Sequence, residues 1–464
     1  MRWCCQTAAR QLSSQRVIHS PDDPIVALAT PLVSSALAVI RVSGEGSLQL
    51  LSKLVKNGIQ PHERQGNSIN RCTIRDGDED VDQVMLAVYR TPRSYTGEDS
   101  AEIICHGGIP VIHRLLSLLT RVGFRQAGPG EFTQRAFLNG HLDLTRAEAV
   151  NEIVRARTDR ARALALQRLS GAIESRVEAA RDGLVELRAG LEVAIDYPED
   201  IPEGNVMQEG TLDRTISILE GLTHTYRQGR IYQEGVTVAI AGATNSGKSS
   251  LFNDLLRQER AIVSEVHGTT RDWLEGAVSL EGIPVRLFDT AGLRDSRDPL
   301  EAEGMRRTEQ VLSSSDLIVY VVDSTRGLDA GDDAFLARRT AVPAVRVWNK
   351  IDLPGLPVPK GFIPLSATTG AGLQKLEAEI AAAALGEVPA KAGEPLIDSV
   401  RQRDLLTRAL SALGRVREAG MRSVSADLLA VDLAEAMDAL GEMTGEITTA
   451  EILERMFSSF CVGK

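Results

Sequence analysis

Between residue 24 and about 145 the apolar positions come in short β-branched runs closed by glycine or proline: IVALATP, ALAVIRVSG, VMLAVYRTP and SAEIICHGG. Such runs predict strands. One segment among them, PVIHRLLSLLTRV, spaces its apolar residues for a helix. The pattern predicts an α+β domain over 24–140. It changes near RAFLNGHLDLTRAEAVNEIV. From about 146 to 196 the chain is rich in Ala, Leu, Arg and Glu, and Ile173, Val177, Ala180, Leu184, Leu187, Leu191 and Ile195 form one helical stripe. DYPEDIPEG breaks that helix. A further helix carries Leu212, Ile216 and Leu219. From GVTVAIAGATNSGKSSLFNDLL through GFIPLSATTG, buried-type strands alternate with helices, as in parallel βαβ units. Helical stripes return after about 390, first Leu406, Ala409, Leu413 and Val416, then LLAVDLAEAMDAL. The simplest architecture is multidomain, α+β and α/β. A helical domain in two segments, 141–232 and 389–464, is interrupted by an α/β domain over 233–388. Residues 1–23 are expected to be a disordered leader.

Composition narrows the function classes. Hydrophobic residues make up 43% and charged residues 25% of the 464, ordinary for a globular chain. No run approaches the roughly 20 apolar residues of a membrane span. The net charge of −11 and pI of about 5.3 argue against coating nucleic acid by overall charge, though not against a local basic patch. The cysteines, Cys4, Cys5, Cys72, Cys105 and Cys461, are few, odd in number and without metal-ligand spacing, which fits a reducing compartment. The acid-free start MRWCCQTAARQLSSQR has the flavour of a mitochondrial presequence. The acidic pI favours a cytoplasmic protein, with the mitochondrial matrix as the alternative.

The chemistry concentrates in four elements. GATNSGKS, Gly242 to Ser249, follows a strand and opens a helix, the context of a phosphate-binding loop. Its glycines let backbone N–H groups close on phosphates. Lys248 neutralises the β and γ oxygens, and the Ser249 hydroxyl suits Mg²⁺. GTTRD supplies Thr270 as a second Mg²⁺ ligand. LFDTAG places Asp289 at a strand end, with Gly292 able to sense a γ-phosphate. In NKID, Asn349 to Asp352, the Asp352 carboxylate can accept from N1–H and the 2-amino group of guanine, a donor pair adenine lacks. Ser366 and Ala367 bring a backbone N–H towards the guanine O6. Ras-like enzymes orient water with Gln after D-x-x-G, but this chain has Leu293. Arg271, Arg294, Asp295, Asp298, Glu301 and Glu303 remain the candidates to replace it.

YTGEDSAEIICHGG, PGEFTQRAFLNGHLDL, AEAVNEIV, GTTRD after TNSGKSS, and the terminal FSSFCVGK together resemble the tRNA-modifying GTPase family MnmE (TrmE), from about residue 24 to 464. The resemblance implies an N-terminal folate-binding and dimerising domain, a discontinuous helical domain and an inserted Ras-like G domain. It implies a homodimer working with an FAD-dependent MnmG-type partner in an α2β2 complex. The pair would add an aminomethyl or carboxymethylaminomethyl group to C5 of the wobble uridine of tRNA. The one-carbon unit would come from a tetrahydrofolate derivative, 5,10-methylene-tetrahydrofolate, with 5-formyl-tetrahydrofolate as an analogue. GTP contacts would extend over Asn245, Ser246, Gly247, Lys248, Ser249 and Ser250, then Ser264, Glu265, Val266, His267, Gly268, Thr269 and Thr270. They would continue through Asp289, Thr290, Ala291 and Gly292 to Asn349, Lys350, Ile351, Asp352, Ser366, Ala367 and Thr368. In this family a K⁺ ion replaces the arginine finger as the G domains dimerise; its ligands would be Asn245, Ser264, Val266 and Thr269. The family's catalytic glutamate falls at Glu301. Folate would meet Arg41, Glu102 and Lys464, with His141 where the family has lysine. The rival reading is an Era-like ribosome-assembly GTPase, which the front half and the tail disfavour.

The tail RMFSSFCVGK raises its own question. Cys461 does not sit in a prenylation box, because Gly463 and Lys464 are unsuited to one. Met456, Phe457 and Phe460 read as an apolar stripe. By resemblance the tail runs to the folate pocket, where Cys461 is expected to take part in the modification chemistry.

Overall fold

The computed structural model of the chain describes residues 23–56, 60–196, 209–257, 275–290, 309–338, 342–386, 393–422 and 425–464. The chain divides into two compact units. One contains the residues up to Asn151 together with Thr448–Lys464, and the other is Glu152–Ile447.

In the first unit, β1 (Ile25–Leu28), β2 (Leu37–Ser43), β3 (Ser68–Asp76), β4 (Glu79–Tyr89), β5 (Ser100–His106) and β6 (Arg125–Gln126) make one sheet in the order β3-β4-β5-β2-β1-β6. All neighbours are antiparallel except β1 and β6. Period-2 alternation sorts each strand onto two faces. Val26, Ala38, Ile40, Val42, Ile74, Val84, Leu86 and Ile103 turn inward beneath α1 (Ser47–Ser52) and α2 (Ile109–Val122). Helix α2 closes at Gly123, whose φ of 124° lies where only glycine is at ease. Helices α3 (Glu131–Leu138) and α4 (Leu144–Arg155) follow. The four runs expected as strands are β1, β2, β4 and β5, and PVIHRLLSLLTRV is α2.

The second unit holds a helical layer and a nucleotide-binding sheet. The helices are α5 (Asp159–Leu169), α6 (Glu174–Asp196) and α7 (Glu209–Glu234). The sheet comprises β7 (Val236–Gly242), β8 (Glu275–Leu280), β9 (Ile283–Asp289), β10 (Leu317–Asp323), β11 (Ala344–Asn349) and β12 (Phe362–Pro364) in the order β12-β11-β10-β7-β9-β8. It is parallel except between β8 and β9. Helices α8 (Lys248–Arg257), α9 (Ala330–Arg338) and α10 (Leu373–Leu385) accompany it. Strands buried on both faces need continuous apolar runs, which is why Leu317–Val322 in β10 is buried throughout. Two cores flank the sheet, around Val238, Leu287 and Ile380 on one side and Ala239, Tyr320 and Trp348 on the other.

The chain then returns through α11 (Val400–Met421) and α12 (Ala426–Thr444), which pack with α6 and α7 in one apolar core. The predicted stripes Leu406–Val416 and Leu212–Leu219 are buried there. In α6 the stripe holds to Leu191, but Ile195 is 40% exposed and Ala194 is buried instead. A 3.6-residue period alternates steps of three and four, and the last step here is three. The second expected helical segment, 389–464, is shared between the units. Helices α11 and α12 belong to the second, whereas Thr448–Lys464, with α13 (Ala450–Phe457), packs with the first. There Leu453, Phe457 and Phe460 are buried with Leu144 and Ala147, and Met456 is partly buried. Among the described residues no helix is long and apolar enough to cross a membrane.

Candidate functional site

The phosphate loop leaves β7 at Gly242 and enters α8 at Lys248. Its backbone is unusual at three points, with φ of 146° at Gly242, 63° at Asn245 and 95° at Gly247. Glycine is required at the ends by close approach. A Cβ on Gly242 would lie 2.1 Å from the Val321 carbonyl oxygen, and one on Gly247 would lie 2.2 Å from Asn349 Nδ2. Lys248 Nζ donates to the Ala243 carbonyl at 2.7 Å, so the ammonium lies folded over the loop it would serve. Ser249 Oγ donates to Asp289 Oδ2 at 2.7 Å, bringing together two hard oxygens from distant segments. That pair fits Mg²⁺, which takes carboxylate and hydroxyl oxygens and retains several waters. Among the described residues the buried Ser246 hydroxyl has no hydrogen-bond partner, a polar atom the loop leaves for something else to satisfy. Thr290 Oγ1 donates to the Ile240 carbonyl and ties the end of β9 to β7.

The base-reading side is cross-braced by Asn349, which is 1% exposed. Its Nδ2 donates to the Ser246 carbonyl at 2.9 Å, and its Oδ1 accepts from the Ala367 N–H at 3.1 Å. One side chain thus joins the phosphate loop, β11 and the Ser366–Ala367 turn. The Ala367 N–H expected at guanine O6 is engaged by Asn349 here, so a base would share it. Lys350, at φ 68°, donates to Asp323 Oδ2 at 2.6 Å. Ile351 and Asp352 are exposed. Ser250 is exposed on α8 and Thr368 follows Ala367 in the turn. Ser264, Glu265, Val266, His267, Gly268, Thr269, Thr270, Ala291, Gly292 and Glu301 lie outside the described residues. Of the expected K⁺ ligands the structure therefore places Asn245 alone, exposed in the loop.

The second site lies in the first unit. Arg41 and Glu102 are direct partners across β2 and β5. Arg41 Nε and Nη2 both donate to Glu102 Oε1, at 3.0 and 2.7 Å, and Arg41 Nη1 donates to the Gly463 carbonyl at 3.0 Å. The guanidinium carbon is 5.7 Å from the ring centres of both Tyr95 and Phe132. Arg41, Glu102, Tyr95 and Phe132 line a cavity of about 210 Å³, with Tyr89, Thr96 and Ser100 completing the wall. That volume is below the roughly 300–1,000 Å³ of pockets that enclose a whole drug-sized ligand; it suits the ring end of a larger one. A carboxylate for a donor edge, a guanidinium and aromatic faces together fit a pterin. Burial pushes the Tyr95 phenol up, and burial together with the Glu102 charge does so at Tyr89. Both phenols therefore remain hydrogen-bonding groups. His141 lies one loop away, where a Cβ on Gly97 would meet its Nε2 at 3.0 Å. Tyr95, Thr96 and Phe132 stood in the quoted motifs without an assignment. The signal for Ser100 was its β alternation with Glu102.

The tail is held by its main chain. Gly130 N–H donates to the Cys461 carbonyl, Pro129 pairs with Val462, and Lys464 N–H donates back to the Cys461 carbonyl. A Cβ on Gly130 would lie 2.9 Å from the Phe457 carbonyl oxygen, and one on Gly463 would lie 2.8 Å from that of Leu28. Cys461 is exposed. Burial pushes the thiols of Cys72 and Cys105 up to about 11, which leaves them inert packing groups.

Glu131 forms an ion-paired cluster with Arg125 and Arg135 in the same unit. Burial alone would raise Glu131, yet bonds from Arg125, the Gly128 N–H and Arg135 outweigh it and hold the carboxyl at about 2. A depressed carboxyl stabilises the fold above its unfolded value of 4.5, and that stability is lost as pH falls towards 2. The shift corresponds to about 3 kcal/mol. Acid unfolding of the full chain should steepen between these values, and Glu131→Gln should flatten that limb. An unchanged limb would place the acid-sensitive group elsewhere.

Residues 24–141 match the family described as GTP-binding protein TrmE N-terminus, and residues 144–461 the family described as MnmE helical domain. The tRNA modification GTPase MnmE of Treponema denticola is 40% identical over 468 residues, spanning 96% of this chain and 99% of that protein. The protein of the same name from Aquifex aeolicus is 40% identical over 454 residues, spanning 95% of this chain and 100% of its own. Among solved structures, the G domain of the T. maritima FeoB iron transporter aligns with 32% of this chain at 26% identity and a TM-score of 0.24.

Proposed function

The chain belongs to the MnmE family of tRNA modification GTPases, and from that premise we propose that it carries the one-carbon site of wobble-uridine C5 modification alongside its GTPase. It is a GTP-hydrolysing enzyme of tRNA modification. The finer reading rests chiefly on one observation: Arg41, Glu102 and two aromatic rings line one cavity, and the same Arg41 holds the Gly463 carbonyl from the opposite end of the chain. There Glu102 orients the donor edge of a reduced pterin, and Arg41 holds both the carboxylate and the tail. His141 and Lys464 extend the site. The tetrahydrofolate derivative supplies the one-carbon unit when bound. Cys461, exposed on a tail tethered by backbone bonds, is free to approach the reacting carbon.

At the nucleotide, Ser249 and Thr270 would hold Mg²⁺, and Lys248 would exchange the Ala243 carbonyl for the phosphates. Mg²⁺ supplies charge neutralisation along the phosphate chain. Asn349 and Asp352 read guanine. Asn245, exposed in the phosphate loop, would hold K⁺ with Ser264, Val266 and Thr269. K⁺ takes the place of an arginine finger. Glu301 orients the attacking water. A second copy of the chain and an FAD-dependent MnmG-type partner complete the enzyme on tRNA.

Mass spectrometry of wobble uridines from cells lacking the gene tests the reading. C5 modification should disappear, and a chain carrying Cys461→Ser should fail to restore it while hydrolysing GTP at an unaltered rate. Retained modification would make the thiol a spectator. GTP turnover should be at least about tenfold faster in KCl than in NaCl; equal rates would sink the cation assignment.

A further inference from the structure

The segment that carries the chain from α4 to α5 concentrates positive charge in an otherwise acidic protein. Arg155 ends α4, Arg157 lies in the turn, and Arg160 and Arg162 stand at the start of α5. All four are exposed. From Ile153 to Ile173 the sequence has five arginines and one acid, Asp159, in a chain whose net charge is −11. The fifth, Arg168, is buried and engaged by Glu152 and Asp398. Elsewhere on the helices surface arginines are matched: Arg188 with Glu192, Arg230 with Glu234, Arg408 with Glu442 and Arg415 with Asp432. Here Asp159 takes Arg162 at 2.8 Å, and among the described residues Arg155 and Arg157 have no partner. The turn that displays them is braced. Thr158 Oγ1 accepts the Ala161 N–H at 3.1 Å and donates to the Gly282 carbonyl, in the β8–β9 turn, at 2.8 Å. The Arg160 guanidinium carbon is 5.4 Å from the Tyr232 ring centre, and a Cβ on Gly282 would lie 2.7 Å from Arg160 Cβ. The Cα atoms of Arg155 and Arg157 are at most about 7 Å apart along the chain. Like charges this close repel, and no carboxylate in the described structure offsets them at these two positions.

We propose that the α4–α5 turn is a docking surface for the phosphodiester backbone of the tRNA substrate, with Arg155 and Arg157 as its principal contacts. The overall charge repels RNA, so attraction has to come from a local patch. A planar guanidinium matches phosphate oxygens bidentately and is desolvated more readily than an ammonium. Two such groups on a braced turn lose little freedom on binding. Phosphate contacts fix register and orientation and leave base reading to other groups. The inference goes beyond the one-carbon and K⁺ readings and needs neither; of the activity it uses only that the substrate is tRNA.

Fluorescence anisotropy of a labelled, unmodified tRNA transcript, titrated with the full chain over a series of KCl concentrations, tests it. Arg155→Gln with Arg157→Gln should weaken binding about tenfold and reduce the slope of log affinity against log salt by about 1.5. The same pair changed to lysine should keep most of the affinity, because a phosphate contact needs the charge first. Arg188→Gln with Arg230→Gln removes equal charge from matched positions and should change affinity less than about twofold. The thermal midpoint and the basal GTP turnover of the Arg155 and Arg157 variants should be those of wild type. An unchanged salt slope in the glutamine pair would overturn the inference. So would an equal loss in the Arg188 and Arg230 pair, which would assign the effect to net charge, or a wild-type chain that binds no tRNA. None of these outcomes touches the folate or K⁺ readings.

Discussion

With Asp352 replaced by asparagine, the chain should lose its preference for GTP and accept xanthosine triphosphate instead. The carboxylate suits the N1–H and 2-amino donors of guanine. Xanthine carries a carbonyl oxygen in place of the amino group, and the asparagine amide can donate to it. The exchange is isosteric and falls on an exposed residue. The bonds that shape the loop are made by its neighbours: Asn349 to Ser246 and Ala367, and Lys350 to Asp323. The cradle should therefore survive, and only the sign of the hydrogen bond should change. Enclosed sites that hydrogen-bond a substrate N–H reject analogues lacking it by roughly 10⁴–10⁵; at this exposed carboxylate about 10³ is expected. Competition binding of the two nucleotides measures the ratio. A variant that still prefers GTP would move guanine reading off Asp352.

Arg168→Met should strongly destabilise the second unit. Arg168 is 2% exposed. Its Nη2 lies 2.6 Å from Glu152 Oε2 and 3.0 Å from Asp398 Oδ2, and its Nη1 donates to the Leu396 carbonyl at 2.8 Å. Asp398 belongs to the segment that returns from α10 to α11. That segment is also tied by the Ile397 N–H to Thr225 Oγ1, and it crosses α7 at Gly229, where a Cβ would lie 2.1 Å from the Ile397 carbonyl oxygen. Methionine fills the volume but leaves two carboxylates without their guanidinium, at about 3–5 kcal/mol. Thermal unfolding should begin roughly 10 °C lower. Replacing Glu152 and Asp398 with leucine as well should recover most of the loss, because the cost lies in the uncompensated charge. If the triple variant unfolds as early as Arg168→Met, geometry rather than charge governs the junction.

Local chemistry was legible wherever neighbours in sequence do the work. The stripe from Ile173 to Leu191 is buried as its spacing requires, and GATNSGKS sits between a strand and a helix because its glycines permit that backbone. The apolar runs of β7, β10 and β11 declare a sheet covered on both faces. Spacing failed at the last turn of α6, where Ala194 rather than Ile195 meets the core, because a 3.6-residue period does not say which step is short.

Long-range placement was not legible. The sequence by itself determined the phosphate loop, the main helical stripes and most of the apolar strands, and the family resemblance singled out Arg41, Glu102 and Cys461 as candidates. Only the tertiary structure decided that Thr448–Lys464 packs with the first unit, that Gly463 offers its carbonyl to Arg41, and that Asn349 braces the phosphate loop. The two hydrogen bonds end on backbone carbonyls, and close approach needs glycines with no side chain at Gly130, Gly247 and Gly463. Hydrophobic periodicity reports which face of an element is buried. It carries no record of which distant backbone comes close enough to need a missing Cβ.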